Sequence, residues 1–225
     1  MHRLRDMLAG NEQHARDFES RFDDVQEEQK PAVVTVCCSD SRVLQDHIWG
    51  NDDPGYLFTC GNIGNRVVQR TKSGVTVSGD VLYPIAHAET DLAVVVGHTG
   101  CGAGTATYDA LEHGIEDAPG IEHCVEMLKP HLQPGVERLP DGLDRKTAIN
   151  HLVEYNVDRQ VELLEESDDV PDDVIVAGVV YDFQDVYDGR RGEIHVVNVD
   201  GTTDADAVAE AYPDVAARME RRWDY

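Results

Sequence analysis

The sequence predicts an α/β protein, with a mostly parallel central β-sheet flanked by helices, forming one domain over residues 1–225 with an N-terminal helical arm over 1–28. Three observations predict it. Short runs rich in β-branched residues alternate with longer stretches of helical periodicity, the βα order that builds a parallel sheet. Two of those runs, Ala32-Val-Val-Thr-Val-Cys37 and Leu92-Ala-Val-Val-Val96, are almost wholly apolar and read as buried strands. No linker, repeat or low-complexity tract divides the 225 residues, a length that one well-packed domain fills.

Residues 2–28, with Leu4, Met7, Leu8, Phe18 and Phe22 among polar neighbours, predict an exposed amphipathic helix that can pack on its own domain or on a partner. The strand ending at Cys37 follows, then a loop and a short strand at Tyr56-Leu-Phe58. Val75 to Ala88 reads as a helix feeding the strand over 92–96, and Gly100 to His113 as the next helix. Residues 120–132 and 146–166 read as helices, Asp173 to Tyr181 and Glu193 to Val199 as strands, and Thr203 to Arg222 as a closing helix.

Composition removes several classes of function. Asp and Glu number 44 against 19 Lys and Arg, for a net charge of -25, and only Lys30, Lys72, Lys129 and Lys146 are lysine. Such a surface repels nucleic acid and anionic membranes, so neither is expected as a partner. The acids are spread along the chain rather than gathered in a tail, which predicts a protein of a halophilic microbe working in concentrated salt. No apolar run approaches the roughly 20 residues needed to cross a bilayer. Met1-His-Arg-Leu-Arg has no apolar signal core behind it, and a cytoplasmic location is expected. Five cysteines, an odd number, predict reduced thiols rather than a disulfide framework.

The chemistry gathers in two short segments. Cys38-Ser-Asp40-Ser-Arg42 is followed sixty residues later by His98-Thr-Gly-Cys101. Two thiolates and an imidazole are what a tetrahedral zinc selects, and three protein ligands leave a fourth position open for reaction. Both segments sit where a predicted strand ends, so a parallel sheet delivers them to one edge, where α/β proteins build their sites. A closed structural zinc site would need a fourth Cys or His at short spacing, and none is present.

These residues carry a resemblance to the β-class carbonic anhydrases. C-S-D-S-R and G-H-T-G-C-G resemble that family's two metal motifs. The similarity continues in Asp53-Pro-Gly-Tyr-Leu-Phe-Thr-Cys-Gly-Asn62, Tyr83, Glu154-Tyr-Asn-Val-Asp-Arg-Gln-Val161 and Gly178-Val-Val-Tyr181, and so spans nearly the whole chain. The resemblance implies one Zn2+ per subunit on Cys38, His98 and Cys101, and reversible hydration of carbon dioxide to bicarbonate and a proton. Zinc chemistry is compatible with this, because the metal lowers the pKa of bound water from about 16 to about 7 and so supplies hydroxide near neutral pH. The alternatives are a carbonyl sulfide or carbon disulfide hydrolase on the same site, and a non-catalytic zinc- or bicarbonate-sensing protein. The family's assembly implies a homodimer or homotetramer.

Asp40 has two possible jobs. Held by Arg42, it stays ionised and orients the attacking hydroxide through a hydrogen bond; released, it becomes a fourth zinc ligand that closes the site. The resemblance implies that some members switch between these states with pH or bicarbonate, and Val43 matches that branch, so activity is expected to rise above pH 8. Two positions depart from the family pattern: Gly61 stands where Arg is usual, and Asp53 where another branch carries Gln near the substrate. Phe58, Tyr83 and Gly102 are expected to line the substrate pocket. Gly100, Gly102 and Gly104 let backbone approach a metal at a helix amino terminus, and the Lys-Ser/Thr ending of a phosphate loop is missing. His47 and His87 are candidate proton relays against a simpler reading as surface histidines. Strand alternation turns Cys37 away from Cys38, and Cys37, Cys60 and Cys124 read as packing residues.

Overall fold

The computed structural model describes residues 1–225. Five strands form the central sheet in the order β2 (Leu57–Asn62), β1 (Val33–Cys38), β5 (Leu92–His98), β6 (Ile175–Asp182), β7 (Glu193–Val199). The first four run parallel, and β7 closes one edge antiparallel to β6. Because β1 and β5 are neighbours in register, with Cys37 opposite Val96, their carboxyl ends finish side by side.

Strand alternation gives the two faces different environments. Val34, Val36, Ala93, Val95, Val176 and Val180 face a large core shared with helices α5 (Pro119–Arg138) and α6 (Arg145–Glu165). Ile149, Val153, Val157 and Val161 recur every fourth residue of α6 and are buried; that spacing lays one stripe along the sheet. Its start is set by Asp144, whose carboxylate accepts hydrogen bonds from the Lys146 and Thr147 amides. Glycines let the helix come close: a Cβ at Gly97 would lie 2.6 Å from Val157, and one at Gly178 also 2.6 Å from Val157. The other face carries Val33, Cys37, Val94, Val96 and Val179, with Trp49, Leu57, Tyr181, Phe183, Ile194 and Val196 only partly buried around them.

Most expected elements form, with four corrections. The amino-terminal helix α1 spans His2–Phe18 and gives way to a 3-10 turn, Glu19–Phe22, instead of running to 28. Acidic residues at a helix carboxyl end oppose its dipole, and Asp23, Asp24, Glu27 and Glu28 crowd there. The helix expected over 75–88 is instead a hairpin, β3 (Val68–Thr71) with β4 (Gly74–Val77), followed by a shorter α3 (Gly79–His87). Gly74 turns the hairpin at φ +124°, and Ser78 caps α3 by accepting from the Asp80 amide at 3.3 Å. Helix α5 continues past 132 to Arg138, through Pro130 and Pro134, because Leu132 and Gly135 remain packed in the core. The closing helix is broken at Pro213 into α7 (Ala205–Ala211) and α8 (Pro213–Ala216). Residues beyond it form a tail along β7, where Val196 exchanges backbone hydrogen bonds with Arg218 and Glu220. The remaining short helices are α2 (Gln45–Ile48) and α4 (Gly102–His113).

Candidate metal centre

Cys38 ends β1, His98 ends β5, and Cys101 stands at the cap position of α4 after a turn at Gly100, φ +63°. Adjacency of β1 and β5 therefore brings together ligands sixty residues apart in sequence. Their ligand atoms all lie within 4.8 Å of one another, and all three residues are buried. Cys38 Sγ and Cys101 Sγ are 3.8 Å apart, the edge of a tetrahedron about a metal with bonds of about 2.3 Å. His98 Nδ1 lies 3.1 Å from the Thr99 carbonyl oxygen. That contact assigns the proton to Nδ1 and leaves the lone pair on Nε2, a fully buried atom with no hydrogen-bond partner in the protein. An orphaned imidazole nitrogen facing two cysteines is a costly arrangement unless an electrophile completes it, and the donor set suits Zn2+.

The thiol pair is already polarised. Cys101 donates to the Cys38 sulfur, and that hydrogen bond brings the Cys38 thiol down to about 5 against the opposing effect of burial. The same bond, with burial, holds Cys101 well above the ordinary thiol range. Further support comes from the Gly64 amide, which donates to Cys38 Sγ at 3.5 Å, and from Asn150, whose Oδ1 accepts from the Gly100 amide at 2.8 Å.

Asp40 is held in the clamped arrangement. Arg42 Nε donates to Oδ1 at 2.8 Å and Nη2 to Oδ2 at 2.6 Å, with a third bond from the Arg42 amide at 2.9 Å. Arg42 holds the Asp40 carboxyl well below the usual carboxylate range, burial opposing it. Oδ2 nevertheless lies 3.6 Å from His98 Nε2, so the carboxylate borders the position a metal would take. Arg42 Nη2 also reaches the Gly100 carbonyl at 3.4 Å, tying the clamp to the turn before Cys101.

The remaining expected residues divide. A small enclosed cavity of about 10 Å³ adjoins the centre, lined by His98, Cys101, Gly104 and Asn65 with leucines of α5 and α6; that is room for about one water. Phe58 and Tyr83 are not on its wall: they form an aromatic pair, centroids 6.3 Å apart, and Tyr83 is half exposed. Gly102 faces open space beside Cys101. Asp53 points to solvent and meets Arg21 at 3.7 Å. At Gly61, a Cβ would lie 3.3 Å from both Gln45 Nε2 and Ser39 Oγ, so these two side chains crowd the space a larger residue would enter. His47 and His87 are exposed, His87 tilted against Tyr83 at 5.3 Å. Cys37 lies in the smaller core, opposite Cys38, and Cys60 and Cys124 lie apart from the centre. Sequence reasoning missed Asn150, Thr99 and Asp182. Thr99 lies within the His98-Thr-Gly-Cys101 segment, but its role, like those of Asn150 and Asp182, depends on contacts 50 and 83 residues away in the chain that no local motif marks.

A mostly parallel sheet carrying at one edge a Cys-His-Cys cluster able to hold a metal, beside an Asp-Arg clamp, is an arrangement of the β-carbonic anhydrase type. A sequence model of the carbonic anhydrase family matches residues 33–192, and the chain belongs to that family, in its β class. It is 30% identical over 126 residues to a carbonic anhydrase of Helicobacter pylori, covering 55% of this chain and 57% of that one. A carbonic anhydrase of Mycolicibacterium smegmatis is 30% identical over 131 residues, covering 57% and 59%. The match thus spans under three fifths of these relatives' length. Solved structures extend the likeness in fold. A β-carbonic anhydrase of Aspergillus fumigatus superposes with a TM-score of 0.71 at 22% identity, covering 97% of this chain and 100% of the other. One of the tetrameric β-carbonic anhydrases of Sordaria macrospora does so with a TM-score of 0.69 at 22% identity, over 88% and 95%.

Proposed function

We propose that this chain catalyses reversible hydration of carbon dioxide to bicarbonate and a proton, with one Zn2+ per subunit held by Cys38, His98 and Cys101. The observation that carries the reading is the orphaned, buried His98 Nε2 set against two cysteine sulfurs 3.8 Å apart, with an ionised carboxylate 3.6 Å away. When bound, zinc supplies a Lewis acid that makes hydroxide available near neutral pH. Asp40 accepts a hydrogen bond from the attacking water and aims its lone pair at the electrophilic carbon. Arg42 keeps Asp40 ionised and, by occupying both carboxylate oxygens, keeps it from swinging inward as a fourth ligand. Asn150 and the Gly64 amide fix the turns that present the thiols, so the centre needs little rearrangement to act.

We infer a homodimer or homotetramer, supported by the half-covered sheet face and by α1, none of whose residues is buried and which exposes Leu4, Met7 and Leu8. A cytoplasmic setting is in keeping with five cysteines that are all unpaired. No helix is long and apolar enough to cross a membrane.

Stopped-flow hydration of carbon dioxide in molar salt tests the proposal. Fast hydration above pH about 8, lost on zinc chelation, is expected. No rate above buffer from folded, zinc-loaded protein would overturn it, and activity on carbon disulfide alone would move the assignment to the sulfur analogues.

A further inference from the structure

Phe183 is not one of the residues assigned a chemical role, yet it touches two that are. Its ring lies under the Arg42 guanidinium, with Cζ 4.5 Å from the centroid. The same ring is 5.7 Å from the His98 imidazole, the planes 23° apart. A guanidinium over an aromatic face is attracted by the ring's negative quadrupole. Arg42 needs such a seat: its side chain is 49% exposed, and an arginine left to solvent keeps most of its rotamer freedom.

The ring is itself held in place. The Phe183 amide donates to Thr99 Oγ1 at 3.2 Å, and that hydroxyl donates to Asp182 Oδ1 at 3.1 Å. The Asp182 carboxylate also accepts from the amides of Gln184, Val186 and Tyr187, at 2.8, 2.7 and 2.9 Å. One buried carboxylate thus winds the segment after β6 into a fixed shape and ties it to the residue next to His98. Thr99 is pinned a second time, its amide donating to the Tyr181 carbonyl at 3.1 Å.

We propose that Phe183 is a positioning residue: its ring face holds the Arg42 guanidinium in the orientation that clamps Asp40. The role rests on the reading of Asp40 given above, and it assigns to Phe183 part of the control over whether that carboxylate stays clear of the metal. The ring face, not merely the volume, does the holding, because an aliphatic side chain fills space without attracting a cation.

The test uses the full-length, zinc-loaded chain with Phe183→Leu, and with 3,4,5-trifluorophenylalanine at position 183, which keeps the shape of the ring but cancels most of its face potential. Solvent exchange of the Arg42 Nε–H, the group that donates to Asp40 Oδ1, is followed by 15N-resolved NMR. Both variants are expected to exchange about two- to fivefold faster than wild type, the range of an exposed cation–π contact. Carbon dioxide hydration should fall in kcat with KM little changed. Exchange at the wild-type rate in the trifluoro variant would overturn the proposal, even if Phe183→Leu failed to fold. A wild-type chain without hydration activity would sink the functional reading, while the exchange measurement would still decide the role of Phe183.

Discussion

Asp40 sits between two demands that a single carboxylate cannot meet together. With both oxygens on Arg42 it is available as a hydrogen-bond acceptor; with one oxygen on a bound metal it would not be. On the proposed function, replacing it by Ala should leave zinc bound through Cys38, His98 and Cys101 and lower kcat/KM by about 100-fold or more, the usual contribution of a positioned acid–base group. Metal analysis beside stopped-flow rates checks both halves; a site whose zinc is purely structural would lose no function. The Cys-His-Cys cluster and the clamp were legible in the sequence because each half of the centre is a local motif. Asn150, Thr99 and Phe183 were not, since a helix Asn, a strand-end Thr and a loop Phe acquire their roles only from the neighbours the fold gives them.

The contact between α6 and the sheet sets the position of β5, and through it of His98. Gly97→Ala would push a methyl to 2.6 Å from Val157 and 3.1 Å from Val153. The expected cost is about 1–3 kcal/mol in urea unfolding at fixed salt, with weakened zinc retention, as overpacking usually brings. Helix α6 also anchors the carboxyl-terminal tail: Glu154, fully buried, accepts from the Tyr187 hydroxyl and from the amides of Arg222 and Trp223, while Asp158 pairs with Arg221 and accepts from the Tyr225 hydroxyl. Burial outweighs these hydrogen bonds and the nearby Arg221 and pushes the Glu154 carboxyl from 4.5 up to about 7. The folded state therefore holds this proton more tightly than the unfolded chain. Its contribution to stability is complete below pH 4.5 and is lost as pH rises through about 7. Between pH about 5 and about 8, wild type should lose roughly 3 kcal/mol relative to Glu154→Gln; parallel unfolding free energies for the two proteins would refute it. The strands of the sheet were readable as apolar runs, whereas the β3–β4 hairpin was hidden. Val75-Thr-Val77 is too short for periodicity to separate strand from helix, and the deciding signals were Gly74 and the cap at Ser78.

At the scale of the whole molecule, a net charge of -25 must be carried by 225 folded residues. The carboxylates repel one another until cations screen them, over about 10 Å at 0.1 M salt and about 3 Å at 1 M. The melting temperature should therefore climb by about 10 °C or more between dilute buffer and molar KCl, a few kcal/mol for a chain of this size; a melting temperature indifferent to KCl would contradict it. Light scattering in the same series should give at least twice the chain mass, and removal of α1 should lower it. Charge and composition were plain from the residues alone. The half-covered sheet face was not, because it depends on which helices the chain sends to which side.

The placement of Cys38 on β1 and of His98 and Cys101 around the end of β5 also bears on how a metal would be taken up there. His98 and Cys101 are three residues apart and offer a two-point grip to an ion even in a chain that has not yet folded. Cys38 is 63 residues from Cys101 and joins them only when β5 docks against β1, after a long loop has been closed. For a metal held by these three residues, weak capture would precede folding and tight retention would follow it, and the extent of loading would report on the pairing of the two central strands.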